Sequence, residues 1–412
     1  MPSNGSVSSS PITQFKNCYI LHQRQIIRDD LWVRDGKILD PRKLFWEEKG
    51  YADRQVDCHN ALIVPGYIDV QINGGFGYDF SSEPSQVKEG LQRVAEGILA
   101  HGVTSFCPTV ITSNRDTYKE ILPLIQKTKG GKCGAGILGV HLEGPFISVE
   151  KRGAHPANLI CPLHRGILDM LDVYTSLDDV SIVTLALELD NAEQTVRDLV
   201  KRGITVSVGH STANLATAEK SVHAGASFIT HLFNAMLPFH HRDPGIVGLL
   251  ASNAVPANRC VYYGVIADGI HTHPAALRIA QKTHPDGVVL VTDAISAMGL
   301  HPGHHQLGSQ PVEVTEKAAY IAGTNTLSGS IATMSSCVRF LKTATRCSTV
   351  AAIEAATLHP ALLLGITDQK GTLDYGSDAD LLFLDDDLNV KRTYIGGQLV
   401  WDCKSGLMNK PG

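Results

Sequence analysis

The sequence predicts an α/β protein: a (β/α)8 TIM barrel with a small discontinuous β-sandwich domain built from the N- and C-terminal segments. Three observations predict this fold. From Tyr67 onward, apolar strand-like runs alternate with amphipathic helical stretches. Short extended runs stand before and after this region, and several strand-like runs of the central region stop at a polar side chain. We therefore expect the β domain to comprise residues 11–66 and 366–412, and the barrel residues 67–365.

The two ends of the chain have the character of short strands. FKNCYIL, DLWVRDGKILD and QVDCHNALIVPG come first, and Asp35-Gly36 is a turn signal between two extended runs, which predicts a small antiparallel sheet. GTLDYGSDADLLFLD and VKRTYIGGQLVWDC repeat this character near the other end. Because the two pieces are alike in composition, we expect them to form one domain. The leading residues 1–10, MPSNGSVSSS, are expected to be disordered.

The central region contains eight strand-then-helix units. The strand-like runs are YIDVQING, VTSFCPTV, ILGVHLEGP, VSIVTLALEL, TVSVGHS, FITHLFNAM, CVYYGVIADG and VVLVTDAI. The helical stretches fall at 86–100, 115–127, 163–174, 192–201, 215–224, 274–282, 331–344 and 350–364, with a short apolar piece at 245–251 and a hairpin at 311–323. Eight such units in about 300 residues favour a closed barrel over an open doubly wound sheet, which usually has fewer strands.

Four of these strands end in residues that suit a metal centre. Glu143 ends the third, His210 follows the fifth, His231 lies in the sixth and Asp293 ends the eighth. In a barrel, functional groups collect at the C-terminal ends of the strands. A single histidine at a strand end is more often structural, but four such residues at equivalent positions favour a catalytic metal with three protein ligands, an open position and a neighbouring proton carrier.

Composition argues against several classes of partner. Hydrophobic residues make up 43% of the chain and charged residues 19%, and the net charge is -5, so neither nucleic acid nor an anionic membrane is an expected partner. The nine cysteines include no CxxC pair, which favours reduced thiols in a cytosolic protein. The N-terminus lacks the basic and apolar segments of a signal peptide, and no later apolar run is long enough for a membrane span.

An ordered set of motifs resembles a known family. PGYIDVQING, HLEGPF, RGAHP, VGHS, THLFNAM, DGIHTHP, VTDA, LSGS and GSDADLLFLD are similar to the motifs of the amidohydrolase superfamily and, within it, of the N-acetylglucosamine-6-phosphate deacetylases. The resemblance extends over residues 15–403. It implies metal-dependent hydrolysis of the acetamide of N-acetyl-D-glucosamine 6-phosphate, giving D-glucosamine 6-phosphate and acetate, in amino-sugar catabolism.

The resemblance also implies a role for each residue of the predicted metal centre. Glu143, His210 and His231 would hold one divalent ion, with zinc expected, and Asp293 would act as general base and then return the proton to the departing amine. His155 would contact the substrate carbonyl and stabilise the developing oxyanion. The alternative for His155, which stays open, is an ordinary polar residue of a loop.

A second metal lacks strong ligands in this sequence. Most members of the superfamily carry His-x-His at the end of the first strand, where this chain has Gln71-Ile72-Asn73. Amide oxygens are neutral and weaker ligands than imidazoles for zinc. The fourth strand, IVTLALEL, also lacks the lysine that bridges two metals in dinuclear relatives. One metal ion per chain is therefore expected.

The substrate contacts follow from the same resemblance. They are Ala154 and His155, Asn234 and Ala235 after the sixth strand, Arg242 and His271 for the phosphate, and Leu327, Ser328 and Gly329 in a substrate loop. In relatives the arginine comes from the neighbouring subunit, which implies a homodimer with Arg242 contributed across the interface. Read without the family, Arg242 and His271 are solvated loop charges.

Two other functions stay open at this stage. The first is hydrolysis of a cyclic amide on the same fold, which Gln71, Asn73 and the absent lysine of the fourth strand disfavour. The second is a catalytically silent scaffold, because fold similarity alone does not establish activity. Retention of the three predicted metal ligands and Asp293 argues against a scaffold.

Overall fold

The structure is a computed structural model that describes residues 10–307 and 310–407. The expected disorder of the leading segment falls on residues 1–9, outside the described residues, and on Ser10. Within the described ranges, no helix is long and apolar enough to cross a membrane.

Eight parallel strands form the predicted barrel, which confirms the fold class. They are Tyr67–Ile72, Val103–Ile111, Val140–Glu143, Val180–Leu185, Thr205–Val208, Phe228–Ile229, Tyr262–Val265 and Val288–Leu290. Each strand pairs in parallel with the next one along the chain. Nearly all of their residues are buried, as expected for a parallel sheet covered on its outside by helices.

Helices follow the strands and pack around the barrel. They are Pro84–Gly97, Arg115–Ile121, Ile167–Tyr174, Ala192–Lys201, Leu215–Ala224, Pro274–Thr283, Met334–Thr345, Thr349–Glu354 and Leu358–Leu364, with a 3-10 helix at Gly245–Ala251. Asn114 and Asn214 cap two of these helices by accepting hydrogen bonds from Thr117 and Thr217 backbone N–H groups. These caps fix where the chain turns from loop into helix.

The terminal segments form two further sheets. One contains Lys37–Ile38, Leu31–Arg34, Thr13–Lys16 and Arg54–Asp57, and the other contains Gly406–Leu407, Gln398–Asp402, Val390–Ile395, Leu381–Leu384, Leu62–Pro65, Tyr19–His22 and Gln25–Arg28, each in spatial order. Within the second sheet, Leu62–Pro65 from the first part of the chain pairs with Leu381–Leu384 from the last. Phe15 joins the two sheets, with its ring centroid 5.8 Å from Phe383 and 5.3 Å from Tyr394. The pieces therefore share one apolar core, as predicted.

A small antiparallel sheet follows the eighth barrel strand. Its strands are Gly303–Leu307, Gln310–Val314, Ala319–Ile321 and Leu327–Gly329. Ile295 donates a backbone hydrogen bond to Ser330 O at 2.9 Å, which fastens the end of this sheet beside the eighth strand. The predicted substrate loop, residues 327–329, is therefore an edge strand of this sheet.

The structure differs from the sequence prediction in three places. The third strand is divided into Gly136–Ile137 and Val140–Glu143, because Gly139 between them has a positive φ of 124°. The helix expected at 350–364 is two helices, and Pro360 in the first turn of the second helix has no N–H with which to continue the preceding one. The N-terminal sheet is mixed, since Thr13–Lys16 pairs in parallel with Arg54–Asp57.

Candidate active site

Three predicted metal ligands meet at one point at the C-terminal end of the barrel. Glu143 Oε1 lies 3.1 Å from His210 Nε2 and 3.0 Å from His231 Nε2, and the two Nε2 atoms are 3.0 Å apart. All three side chains are buried. Glu143 ends the third strand, and His210 and His231 lie two residues beyond the ends of the fifth and sixth strands, so the barrel itself brings them together.

The donor set of this cluster suits a divalent cation. The His210 Nδ1 atom is 2.7 Å from Lys151 O, and because a carbonyl only accepts, Nδ1 carries the ring proton and Nε2 presents a lone pair. That lone pair faces the Glu143 carboxylate, so two acceptors confront each other unless a positive charge lies between them. Tetrahedral zinc with bonds of about 2.1 Å separates its ligand atoms by about 3.4 Å, so the three atoms need to move only a few tenths of an ångström.

The ionisation of the cluster favours the same conclusion. Burial favours a neutral His231 ring, but the hydrogen bond and the charge of Glu143 outweigh burial and raise the pKa of His231 to about 9. Burial likewise disfavours an ionised Glu143, yet the two imidazoles hold the pKa of this carboxyl well below its usual range. The pocket therefore selects a carboxylate and a neighbouring positive charge.

His155 lies beside this cluster but is oriented as a donor. Single ligand atoms of Glu143, His155 and His210 all lie within 4.8 Å of one another, so distance alone would allow His155 as a ligand. Its Nδ1, however, is 2.7 Å from Thr112 Oγ1 and accepts from the Thr112 backbone N–H at 3.4 Å. An N–H group only donates, so Nδ1 has no proton and the neutral ring carries it on Nε2. We therefore prefer His231 to His155 as the third ligand.

The His155 ring is also held neutral. Burial is the main cause that lowers the pKa of His155 to about 3, and the neighbouring His210 adds to this effect. A neutral imidazole with its proton on Nε2 is a hydrogen-bond donor suited to a carbonyl oxygen on which negative charge develops.

Asp293 is joined to the metal cluster by two amides. Asn73 Nδ2 donates to Asp293 Oδ1 at 2.7 Å, and Gln71 Nε2 lies 3.3 Å from the same oxygen. Gln71 Nε2 also lies 3.2 and 3.1 Å from the two oxygens of Glu143. Sequence reasoning considered Gln71 and Asn73 only as poor metal ligands and missed them as donors. Amide N–H groups thus stand between two carboxylates, where they offset the repulsion between them.

The surroundings of the Asp293 carboxylate shift its pKa upward. Burial, and then the negative charge of Glu143, raise the pKa of Asp293 to about 6, close to the value that suits a general base near neutrality. Among the described residues, hydrogen bonds reach Asp293 Oδ1 and none is recorded to Oδ2. The second oxygen is therefore the one available to take up a proton.

Strained backbone marks the strand ends at this site. His210, His231 and Asp293 have φ values of 47°, 27° and 46°, in the left-handed region that non-glycine residues rarely adopt. Such residues cost of order 1–3 kcal/mol each and persist only where the surroundings hold them. Gly209 shows how tight these surroundings are, because a Cβ there would lie 2.6 Å from Thr230 Cβ.

A row of buried polar side chains crosses the barrel next to the cluster. His141 Nδ1 lies 2.9 Å from Val70 O, and its Nε2 lies 2.8 Å from Thr184 Oγ1. Thr184 Oγ1 is in turn 2.8 Å from Thr230 Oγ1, which also contacts Ser207 Oγ. This polar row links four strands and the backbone of a fifth, and every member has a hydrogen-bond partner, so it adds rigidity without unpaired polar groups.

The predicted phosphate contacts lie in loops. Asp268 Oδ2 accepts from His271 Nδ1 at 2.6 Å, and Asp268 Oδ1 accepts the backbone N–H groups of Ile270 and His271, both at 2.8 Å. Arg242 is exposed, and no hydrogen bond or ion pair of its guanidinium is recorded within residues 10–307 and 310–407. The structure thus fixes His271 near the barrel but does not bring Arg242 into the cluster.

The remaining predicted contacts surround the cluster unevenly. Asn234 Nδ2 folds back onto His231 O at 3.3 Å, and Ala235 O accepts from Ser211 N at 3.2 Å, so both lie beside the metal cluster. Ala154 is exposed next to His155. Of the 327–329 strand, Leu327 is exposed and Ser328 and Gly329 are half-buried.

Comparisons with known proteins agree on one family. The model of the amidohydrolase family matches residues 62–400. The chain is 59% identical over 402 residues to N-acetylglucosamine-6-phosphate deacetylase of Danio rerio, covering 97% of this chain and 100% of that protein.

Solved structures of the same enzyme are also similar. The Pasteurella multocida enzyme has a TM-score of 0.81 and 29% identity, covering 94% of this chain and 99% of that one. A mutant of the Mycobacterium smegmatis enzyme, in complex with N-acetyl-D-glucosamine-6-phosphate, has a TM-score of 0.78 and 28% identity, covering 95% and 99%.

We predict that His155 and His210 carry their ring protons on opposite nitrogens. In zinc-loaded protein labelled with ¹⁵N-histidine, two-bond ¹H–¹⁵N spectra should show His155 protonated on Nε2 and His210 on Nδ1. Thr112→Val removes the hydroxyl contact, a neutral hydrogen bond worth about 0.5–1.5 kcal/mol, and should increase the minor fraction of the other His155 tautomer, while the Thr112 backbone N–H still favours Nε2–H; Thr112→Ser should leave the fractions unchanged. A His155 ring protonated on Nδ1 in the unmutated protein would contradict the assignment.

Proposed function

The chain belongs to the amidohydrolase family, and from this premise we propose that it hydrolyses the acetamide of N-acetyl-D-glucosamine 6-phosphate to D-glucosamine 6-phosphate and acetate. The observation that carries the proposal is the meeting of Glu143 Oε1, His210 Nε2 and His231 Nε2 within 3.1 Å of one another, beside Asp293. The deacetylases to which the chain is similar include one solved with that phosphorylated sugar. The reaction would serve amino-sugar catabolism.

Glu143, His210 and His231 would hold one divalent ion in this proposal, and zinc suits two imidazoles and a carboxylate best. Such an ion would polarise the acetamide carbonyl and lower the pKa of water. Gln71 and Asn73 turn their amide N–H groups toward carboxylates, which leaves no strong donor for a second ion at the first strand. This arrangement supports one ion per chain.

Asp293 and His155 would move and stabilise charge at the reacting carbon. Asp293 Oδ2 would take the proton from the attacking water and return it to the amine, which must be protonated to leave. Asn73 on Oδ1 keeps the other oxygen in place during both transfers. His155 Nε2–H would donate to the carbonyl oxygen as negative charge builds up there.

His271 and Arg242 would bind the phosphate of the substrate. Asp268 holds the His271 ring at Nδ1, so the ring geometry directs Nε2 to the opposite side. A guanidinium such as that of Arg242 suits the planar spacing of phosphate oxygens. Asn234, Ala235, Ala154 and the strand Leu327–Gly329 would complete the substrate pocket.

We propose a homodimer in which Arg242 reaches the neighbouring subunit's site. Arg242 lies on an exposed loop that also carries Phe239, whose side chain is 64% exposed. An exposed aromatic ring beside a charge without a recorded intrachain partner is typical of interfaces between proteins. The proposed location is the cytosol, where the nine thiols, all free in the structure, would stay reduced.

We expect about one metal ion per chain, because residues 10–307 and 310–407 provide a single set of strong ligands. Elemental analysis of His210→Ala and His231→Ala should show loss of the ion. His155→Ala is the matched control and should keep it, because its ring donates rather than accepts at this site. Two tightly held ions per chain, or loss of the ion from His155→Ala, would contradict the ligand set.

Asp293→Asn should keep the metal and the substrate but lose turnover. Removing a general base lowers kcat by roughly 10²–10⁴-fold. Acetate release gives kcat. Elemental analysis gives the metal content, and a binding measurement with the phosphorylated sugar shows whether the substrate still binds. Near-normal turnover would exclude Asp293 as the base, and loss of the ion would make Asp293 a ligand.

Arg242→Ala should lower kcat/KM far more for the phosphorylated substrate than for unphosphorylated N-acetylglucosamine. The lost charge-assisted contact is worth roughly 1.5–3 kcal/mol, which is about tenfold to over a hundredfold in kcat/KM. Equal losses on the two substrates would show that Arg242 supports the fold or the dimer and does not read the phosphate.

Mixing two inactive variants tests whether Arg242 acts across the interface. A heterodimer of Arg242→Ala and Asp293→Asn contains one intact site if the arginine comes from the partner subunit, and none if it acts within its own subunit. After exchange of equal amounts, about a quarter of the wild-type activity should return. Activity that stays at the level of the separate variants would place Arg242 in its own subunit's site.

A further inference from the structure

Asp69 is a buried carboxylate that none of the roles above uses. It lies in the first barrel strand with a relative exposure of 0%, and no salt bridge is recorded for it among the described residues. Burial is the main cause that raises the pKa of Asp69 to about 7. A carboxyl group without a cationic partner is costly to keep in such a place, so its hydrogen bonds indicate what it does there.

All three hydrogen bonds of Asp69 go to residues next to the proposed catalytic groups. Thr292 Oγ1 donates to Asp69 Oδ2 at 2.6 Å, and the Thr292 backbone N–H donates to Oδ1 at 3.3 Å. The Gln71 backbone N–H donates to Oδ1, also at 3.3 Å. Thr292 immediately precedes Asp293, and the Gln71 side chain lies between Asp293 and Glu143. Asp69 thus holds the backbone on both sides of the Asp293 carboxylate.

These contacts lie at the seam where the barrel closes. Parallel ladders join each strand to the next from the first to the eighth, but no ladder is recorded between Val288–Leu290 and Tyr67–Ile72 in the described part of the chain. The seam is instead closed beyond the strand ends, by backbone hydrogen bonds from Asp293 N–H to Gln71 O and from Asn73 N–H to Ala294 O, both at 2.8 Å, and by Asp69 on Thr292. The proposed base therefore stands at a strand junction that a buried carboxylate helps to hold, together with backbone hydrogen bonds.

The backbone at this junction needs such support. Asp293 has a φ of 46°, a conformation that persists only when neighbouring contacts hold it. We propose that Asp69 is a positioning residue for hydrolysis: by binding Thr292 and Gln71 across the seam, it keeps the Asp293 carboxylate aimed at the reacting atoms. This inference rests on the proposed role of Asp293 as the base.

Two substitutions remove the hydrogen bond that Thr292 Oγ1 donates to Asp69. Asp69→Asn keeps an oxygen for the two backbone N–H groups but presents an amide N–H to the Thr292 hydroxyl, so the charge-assisted bond becomes a neutral one that the hydroxyl accepts. Thr292→Val removes that hydroxyl and keeps the side-chain shape, and Thr292→Ser restores it. Thr393→Val is the matched control, because its buried hydroxyl donates to Leu99 O at 2.8 Å, between the β domain and the barrel.

Kinetics of the zinc-loaded enzyme on N-acetylglucosamine 6-phosphate test the inference. Asp69→Asn and Thr292→Val should each lower kcat about tenfold, with KM and zinc content unchanged, and Thr292→Ser should recover most of the loss. Because both changes remove the same interaction, the kcat of the double variant should be about equal to that of either single variant. Thr393→Val should lower the melting temperature and leave kcat unchanged. If Asp69→Asn does not fold, the two Thr292 variants and the control carry the test.

Crystal structures supply a readout that is independent of activity. In Thr292→Val, the Asp293 carboxylate should move away from Asn73 Nδ2, from which it is 2.7 Å in the intact chain. The inference is overturned if Asp69→Asn and Thr292→Val keep full kcat while Asp293→Asn is inactive, or if they lose stability and zinc without a specific loss of kcat. Full activity of Asp293→Asn itself would overturn the proposed function as well, and this outcome is distinguishable from the others.

Discussion

The structure depends on one electrostatic constraint: a carboxylate and two imidazoles are turned toward each other, buried at the C-terminal end of the barrel. Glu143, His210 and His231 are each buried, and at 3.0–3.1 Å their facing atoms repel unless a positive charge is present. The surroundings hold this arrangement from outside. A carbonyl fixes the His210 ring, the polar row of His141, Thr184, Thr230 and Ser207 braces the strands, and amides separate the second carboxylate, Asp293, from the first.

The acetamide end and the phosphate end of the proposed substrate would contact parts of the protein that differ in rigidity. The acetamide side is built on strand ends, where strained backbone and hydrogen bonds between buried side chains fix the groups in place. On the phosphate side, Arg242 lies on an exposed loop and only His271 is anchored, through Asp268. Chemistry requires groups placed to within fractions of an ångström, whereas a phosphate offers several equivalent oxygens. A rigid reaction centre with a more adaptable binding end follows from this difference.

Hydrophobic periodicity predicted the helices, and the residues at strand ends predicted the central cluster of the site. The helices Ala192–Lys201 and Leu215–Ala224 lie where their amphipathic patterns begin and end, and the convergence of Glu143, His210 and His231 followed from the rule that functional groups collect at one face of a barrel. The break at Gly139 was not predicted, because a glycine in an apolar run does not reveal its φ. Contacts between residues far apart in sequence, such as Thr112 with His155 and Asp69 with Thr292, leave no local pattern and required the structure.

The pairing of Leu62–Pro65 with Leu381–Leu384 has a consequence for synthesis of the chain. Leu62–Pro65 is an inner strand of its sheet, yet one of its two neighbours leaves the ribosome only after the whole barrel has been made. At about 5–20 residues per second this delay lasts tens of seconds, during which the strand exposes an unpaired hydrogen-bonding edge. Synthesis of the β domain thus begins before that of the barrel and is completed after it, and a chain that stops short of residue 381 carries an open sheet edge prone to aggregation.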